Sequence, residues 1–442
     1  MLFFNPAGRA FRSASLLAAL WLSLPAAAAS QDVLLVRAGR LFDSERAVLL
    51  PARDFLVRDG RIERVAERIP APPGARILDL SGYTVLPGLI DAHAHLLMEH
   101  PGDEGSGETS IREIVREGDA LRALHGAARA RSYLQAGFTT VRDLGNSGRF
   151  ADAALRRALA EGALPGPRLF VSGPGLSPPG GQMDGVVADR QDIVAHDYRV
   201  VRGAEDARTA VREAAVQAVD QIKLYSNASP NPAYLAVDEM RAAVEEARLM
   251  GLEVTAHATT DAAINRALDA GLRVIEHGRG ATPATLARMK EAGAVLVLTE
   301  WSRDLLAIDV ARTPAERRPP ASRIDALLAQ GYGRVAAARR AGVDVAFGAD
   351  MYVDFGIGRG PAARLALRAL AEGGMTPAET LRAATYTAGR LVGPGELGVL
   401  ARGAHADFIA VEGDPTRDLE ALDRPRCVVV GGRVQAVPDS AC

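Results

Sequence analysis

Residues 87–95 read PGLIDAHAH. Pro87 and Gly88 open a short apolar run, and two histidines, His93 and His95, stand two residues apart at its end. On a β-strand that spacing puts both imidazoles on one face. Two such side chains at a strand end form a ready chelate for Zn2+ or a similar borderline cation. The stretch predicts a strand that ends at a metal site, and its surroundings decide which fold carries it.

Outward from His95, eight β-rich runs alternate with amphipathic helical stretches, near residues 89–95, 138–143, 167–172, 221–225, 252–257, 272–277, 294–299 and 343–348. Helices fit between them: AVDEMRAAVEEARLM carries acids early and arginine late, and DAAINRALDAG closes on glycine. This alternation predicts an α/β fold with a parallel sheet, and eight repeats point to a closed (β/α)8 TIM barrel over residues 86–395. Two connections are too long for a helix alone, 173–205 and 300–320. Both follow a strand, so both are expected as loops over the active-site face.

The other strand ends repeat the chemistry of the first. The fifth run ends VTAHATT with His257, the sixth VIEHG with His277 and the eighth FGAD with Asp350. A buried histidine bonded to backbone explains any one of these. It does not explain four of the eight histidines in the chain plus a carboxylate, all at the end where barrel enzymes keep their sites. The remaining histidines, His100, His125, His196 and His405, read as surface or loop residues, with His196 in the long loop after the third strand.

Of 52 basic residues only Lys223 and Lys290 are lysines. Lys290 lies in a polar helical stretch, LARMKEAG, where solvation explains it. Lys223 lies in the fourth run, QIKLYS, with Gln221 and Tyr225 on its inward face, where a bare cation is costly. Carboxylation by CO2 would turn the amine into an anionic carbamate able to bridge two metal ions; a hydrogen-bonded catalytic lysine is the alternative. Tyr225 is either an oxyanion donor or an aromatic that fills the barrel.

At the termini the texture changes. Residues 30–85 contain short alternating runs, DVLLVRAGRLF and DFLVRDGRIERVA, with Asp59-Gly60 as a hairpin signal, and residues 396–442 return to it in ADFIAVEGDP and CVVVGGRVQAV. Antiparallel strands from both ends are expected to assemble one small β-sandwich. Residues 1–29 read as a signal peptide: Arg9 and Arg12 precede an apolar run from Ala14 to Leu24, and Ala27-Ala28-Ala29 offers a cleavage site. The run is about half of the ~20 residues a spanning helix needs, so a periplasmic or secreted protein without a membrane anchor is expected. Cys427 and Cys442 are the only cysteines. A bridge between them would staple the tail, but the terminal position of Cys442 argues against it. A formal charge of −2 with no basic stripe argues against nucleic-acid or membrane partners and leaves a small molecule as the substrate. GIGRG at residues 356–360 lacks the βαβ context of a dinucleotide fingerprint.

The motifs PGLIDAHAH, GFTTVRDLG, RLFVSGPGLSP, QIKLY, VTAHATT, IEHG, GAD, MTPAETLRAATYTAGRLVG and GVLARGAHADFIAVEGDP occur in an order that resembles the amidohydrolase superfamily. Within it, the chain is similar to the imidazolonepropionase-like branch, with its prolidases, lysine and arginine carboxypeptidases and ochratoxin-hydrolysing amidases. The resemblance runs from about residue 33 to 437. It implies that His93 and His95 hold one divalent ion, His257 and His277 a second, that N-carboxylated Lys223 bridges them, and that Asp350 ligates the first ion and shuttles protons. Zn2+ is the preferred metal. A metal-bridging hydroxide would cleave the amide bond of a dipeptide or N-acyl amino acid. Homo-oligomers as large as octamers are also implied. One departure stands out: Gln182, in SGPGLSPPGGQMD, occupies the place of a loop histidine and cannot titrate.

Alternatives are a mononuclear cyclic-amide or imidazolone hydrolase or deaminase, which does not need a carboxylated lysine, and a non-catalytic binding relative. For an amino-acid leaving group, the carboxylate is expected on the long loops. Residues 300–320 offer Arg303, Arg312, Arg317 and Arg318 together with Trp301, Leu305 and Leu306.

Overall fold

The N-terminal strands of this computed structural model are β1 (Val33–Asp43), β2 (Val48–Leu50), β3 (Arg53–Arg58), β4 (Arg61–Ala66) and β5 (Arg76–Pro87), with runs of consecutive buried residues in β1, β3 and β5. The structure describes residues 33–442 other than 102–105, 184, 394, 437, 439 and 441. The expected signal peptide lies outside the described residues. Asp59 and Gly60 link β3 to β4 with φ of 51° and 77°, the left-handed pair that a two-residue hairpin requires.

The middle of the chain forms β6 (Leu89–Ala94), β7 (His100–Pro101), β8 (Phe138–Asp143), β9 (Arg168–Val171), β10 (Gly175–Ser177), β11 (Tyr198–Val200), β12 (Gln221–Tyr225), β13 (Glu253–Ala258), β14 (Val274–His277), β15 (Val295–Leu298), β16 (Asp344–Phe347) and β17 (Val353–Asp354). Each of the eight expected runs coincides within a residue or two with one of β6, β8, β9 and β12 to β16. They pair in parallel as two sheets, β6-β8-β9 and β11-β10-β12-β13-β14-β15-β16. β6 and β8 are buried along their whole length, as parallel strands covered on both faces must be. Two backbone bonds run between the two sheets: Asp350 N, just after β16, donates to His93 O on β6 at 2.7 Å, and Asp220 N, just before β12, to Val171 O on β9 at 2.9 Å. Helices connect the strands. Asp261–Asp269, for example, starts on Thr260, whose hydroxyl accepts from Ala263 N.

Neither long connection is an unstructured loop. Residues 173–205 contain β10, β11 and a helix, Gln191–Asp197, and residues 300–320 contain the helix Arg303–Arg312. The second begins on a Ser302 cap that accepts from Leu305 N, and it buries Leu305 and Leu306 in the core. A serine cap followed by paired leucines was the overlooked signal.

At the C-terminus, β18 (Phe408–Val411), β19 (Cys427–Val430) and β20 (Arg433–Val434) join the N-terminal strands in one sheet, ordered β20-β19-β18-β5-β1-β3-β4, with β2 on β1. The expectation of antiparallel strands needs correcting at one ladder, because β1 and β5 pair in parallel. The β1-β3-β4 meander ends at the far edge of the sheet, so the chain must cross back to the free side of β1 and arrives there in the same direction. A second correction concerns the cysteines. Cys427 and Cys442 form a disulfide, their Cα atoms 5.6 Å apart. The tail folds back along β19, which the terminal position of Cys442 does not reveal. Among the described residues no helix is long and apolar enough to cross a membrane.

Cys442→Ser removes that bridge and leaves the buried Cys427 in place. The bridge closes a separation of 15 residues, and chain entropy predicts a loss of up to about 3 kcal/mol. Guanidinium unfolding of wild type and variant checks this, with an unchanged midpoint as the contrary result.

Candidate active site

Strand alternation aims His93 and His95 into a cavity of about 230 Å3 that is also lined by Lys223, Tyr225, His257, His277 and Asp350. His93 Nε2 and His95 Nε2 lie 3.6 and 3.2 Å from Asp350 Oδ1, and His277 Nδ1 lies 3.6 Å from Asp350 Oδ2. The ligand atoms of His93, His95 and Asp350 fall within 4.8 Å of one another, close enough to share one ion. The His257 ring packs 4.6 Å from His277 and 5.4 Å from Tyr225, and Lys223 Nζ stands 5.4 Å over the Tyr225 ring. His277 and Asp350 both adopt positive φ, 68° and 50°, a backbone cost that persists where surrounding structure holds a functional side chain in place.

The outer nitrogens of the imidazoles are oriented from behind. His93 Nδ1 pairs with Glu276 Oε2 at 2.7 Å, His95 Nδ1 with Gly145 O at 3.1 Å, and His277 Nδ1 with Thr299 Oγ1 at 2.9 Å. Glu276 is itself held by Arg142 at 2.9 Å and by Thr255. Asp91 ties two ligand-bearing segments together: Oδ1 accepts from His93 N and Ala349 N, and Oδ2 accepts from Tyr133 Oη.

Burial sets the charge states. It pushes His93 down to about 4 and His257 and His277 well below their ordinary value, so their lone pairs are free at neutral pH. It pushes Lys223 down to about 8. Burial works in the opposite direction on Asp350, but the imidazoles of His93, His95 and His277 outweigh it and keep the carboxylate ionised. Glu276 is likewise held down at about 2 by His93 and Arg142 against its burial.

Several lining residues were not foreseen. His100, expected as a surface or loop residue, is only 3% exposed; its Nε2 lies 3.2 Å from Ser110 Oγ in the cavity wall. Asn146 bridges two tyrosines, accepting from Tyr225 Oη and donating to Tyr198 Oη, each at 2.9 Å. The Tyr225 hydroxyl proton is thus engaged in this arrangement. Gln182 does reach the site, with Nε2 3.4 Å from His257 Nε2. The arginines of 300–320 do not line it. Arg303 pairs with Asp325, Arg312 with Asp354, and Arg318 donates to Thr313 O and Ala311 O. Trp301 packs on Phe355. The helix that was read as a loop turns these side chains elsewhere, and the arginine that lines the cavity is Arg279. Arg279 lay in plain view two residues after His277. Asp91 and Glu276 were visible too, as carboxylates inside apolar strand runs.

Residues 84–434 match the amidohydrolase family. The chain belongs to that family. This amidohydrolase is 30% identical to the ochratoxinase of Aspergillus niger over 373 residues, 78% of the chain and 73% of the relative. A prolidase solved in complex with N-methylphosphonate-L-proline is 31% identical, with a TM-score of 0.78 over 92% of this chain and all of that one. A Xaa-Pro dipeptidase with methionine in its active site is 26% identical, with a TM-score of 0.76 over 91% of this chain and 99% of that one. The protein is a hydrolase acting on amide bonds. Its donor set suits a divalent cation of the borderline class: the buried imidazoles of His93, His257 and His277 kept neutral, the Nδ1 atoms of His93, His95 and His277 hydrogen-bonded, and Asp350 ionised beside them.

Glu276→Gln tests this arrangement. It takes the negative charge from between His93 and a fully buried Arg142, so metal affinity should fall about 10- to 100-fold and stability by about 3 kcal/mol. Chelator competition and denaturant unfolding measure the two, and wild-type values in both would contradict the role given to Glu276.

Proposed function

We propose that this amidohydrolase uses two divalent ions, Zn2+ in preference, to release an amino acid from dipeptides or N-acyl amino acids, including ochratoxin-type amides. The observation that carries the reading is Lys223. A lysine 1% exposed shares one cavity with His93, His95, His257, His277 and Asp350. An amine there is poorly tolerated as a bare cation, whereas an N-carboxylated Lys223 has the charge and the two oxygens to bridge a pair of ions. His93, His95 and Asp350 would hold one ion and His257 and His277 the other. When bound, such ions supply a water of lowered pKa as nucleophile and polarise the substrate carbonyl. Asp350 Oδ1 takes the proton released as water adds and delivers it to the departing amine. Tyr225 Oη turns its proton from Asn146 to the developing oxyanion.

Architecture and location belong to the same proposal. The backbone bonds from Asp350 to His93 and from Asp220 to Val171 support closure of the parallel strands into a (β/α)8 barrel spanning residues 86–395. Phe55 on β3 and Phe408 on β18 meet edge to face at 5.1 Å, although two strands separate β3 from β18 in the sheet. A flat sheet would hold them about 14 Å apart, which favours a sheet curled into a sandwich built from residues 30–85 and 396–442. Export behind a signal peptide at residues 1–29, to the periplasm or beyond, is supported by the Cys427–Cys442 bridge, since disulfides persist in oxidising compartments. A homo-oligomer, up to an octamer, completes the proposal.

A screen of dipeptides and N-acyl amino acids with metal-replete protein tests the activity directly. Lys223→Ala should lose half the bound metal and most turnover, with partial recovery when short-chain carboxylic acids are added. Two tightly held ions and near-normal rates in that variant would rule out a bridging lysine.

Asp350→Asn preserves the shape of the side chain but cannot accept a proton. Turnover should fall about 100- to 10,000-fold while at least one ion stays bound. Stopped assays with metal analysis read both quantities, and an active variant would assign proton transfer to another residue.

A further inference from the structure

Arg279 sits on the rim of the cavity, in the turn between β14 and the helix Pro283–Glu291. The turn is tight. His277 and Gly278 have consecutive positive φ values of 68° and 60°. Gly278 N is bonded to Ala258 O and Glu276 O, and Ala281 N to Gly278 O, at 2.9–3.2 Å. The backbone under Arg279 is therefore fixed directly beside His277, while its side chain remains exposed.

What surrounds that side chain is unusual for this protein. Arg142, Arg122 and Arg359 are buried against carboxylates and carbonyls, and Arg303 and Arg312 hold surface carboxylates. Among the described residues Arg279 has no hydrogen bond or ion pair, yet it lines the cavity together with Gln182, Ser229, Pro230 and Tyr352. Among the described residues, the one carboxylate lining the cavity is Asp350, which faces His93, His95 and His277. With Lys223 taken into the metal centre, the cavity is left with one cation directed at whatever enters and with no anion to match it.

We propose that Arg279 is the specificity residue of this site, its guanidinium receiving the free carboxylate of the amino-acid half of the substrate. The inference rests on the proposed release of an amino acid from dipeptides or N-acyl amino acids and names the group recognised apart from the scissile bond. A guanidinium offers paired N–H donors in the plane of a carboxylate, which neutral neighbours such as Gln182 and Ser229 cannot match. The same charge repels a lysine or arginine side chain, and no free acid on the wall offsets it. The favoured leaving group is thus an amino acid with a neutral side chain, resting on the apolar parts of Met98, Pro230 and Tyr352. An amide that ends in a carboxamide loses the anchor.

Binding of L-phenylalanine and L-phenylalaninamide to the metal-replete enzyme isolates the carboxylate without needing turnover. Wild type should prefer the acid. Arg279→Gln should weaken acid binding about 10- to 100-fold, the range of one charge-assisted pair, and change amide binding less than 3-fold; Arg279→Lys should fall between. Arg303→Gln, an exposed arginine away from the cavity, should leave both affinities unchanged. In parallel, kcat/KM for N-acetyl-L-phenylalanine and its carboxamide should show the same loss of discrimination in Arg279→Gln. An acid-to-amide ratio equal in wild type and Arg279→Gln overturns the anchor, even in an enzyme that hydrolyses N-acyl amino acids. Conversely, if that ratio of affinities collapses in the variant while wild type cleaves no dipeptide or N-acyl amino acid, the anchor stands and the proposed substrate class fails.

Discussion

The guanidinium of Arg142, without exposed surface, donates to Glu276 at 2.9 Å, to the Ala92 carbonyl at 3.3 Å and to the side chain of Gln221. A buried cation of this kind persists only with its counter-charge, so Glu276 must be present and ionised. Glu276 in turn takes the Nδ1 side of His93 and the hydroxyl of Thr255. One polar cluster therefore ties β6, β8, β12, β13 and β14 together beneath the cavity. It also decides which nitrogen of His93 faces inward. The positions of the other imidazoles have meaning only once this layer is in place, because a ligand whose ring can rotate does not define a coordination site.

Above that layer the same device recurs. Arg359 donates to the carbonyls of Met98, Met351 and Tyr352 and reaches His95 O, joining the segment after β6 to the one that carries Asp350. Arg122 binds Asp197 and the carbonyls of Leu97 and Asn146, so the turn bearing Asn146 is locked to the helix Gln191–Asp197. A planar fork with several donors satisfies carbonyls from different segments at once, which an ammonium does less well. Lys223 is the buried lysine among these arginines, and the proposed carbamate needs its primary amine, since a guanidinium does not form one with CO2.

Strands and cavity-lining residues were legible in the sequence to the extent that they follow local period. The alternation of β-rich runs and helices located the parallel strands, and the placement of His93, His95, His257, His277 and Asp350 at run ends marked the cavity they line. Segment 300–320 misled because its arginines and apolar residues were weighed by composition, while the Ser302 cap and the burial of Leu305 and Leu306 make it a helix that faces the core. His100 was missed because the short β7–β17 pairing that surrounds it depends on residues more than 250 positions away.

The sequence by itself determined the alternating secondary structure, the identity of the side chains at each strand end and the oddity of Lys223, since side-chain period and residue chemistry are local properties. Only the tertiary structure decided which partners those side chains keep. The parallel β1–β5 ladder, the Cys427–Cys442 bridge and the Arg142–Glu276–His93 chain all depend on contacts that the local sequence does not specify. In a buried site the cost of an unpaired charge makes those contacts, and not the residue types alone, the source of function.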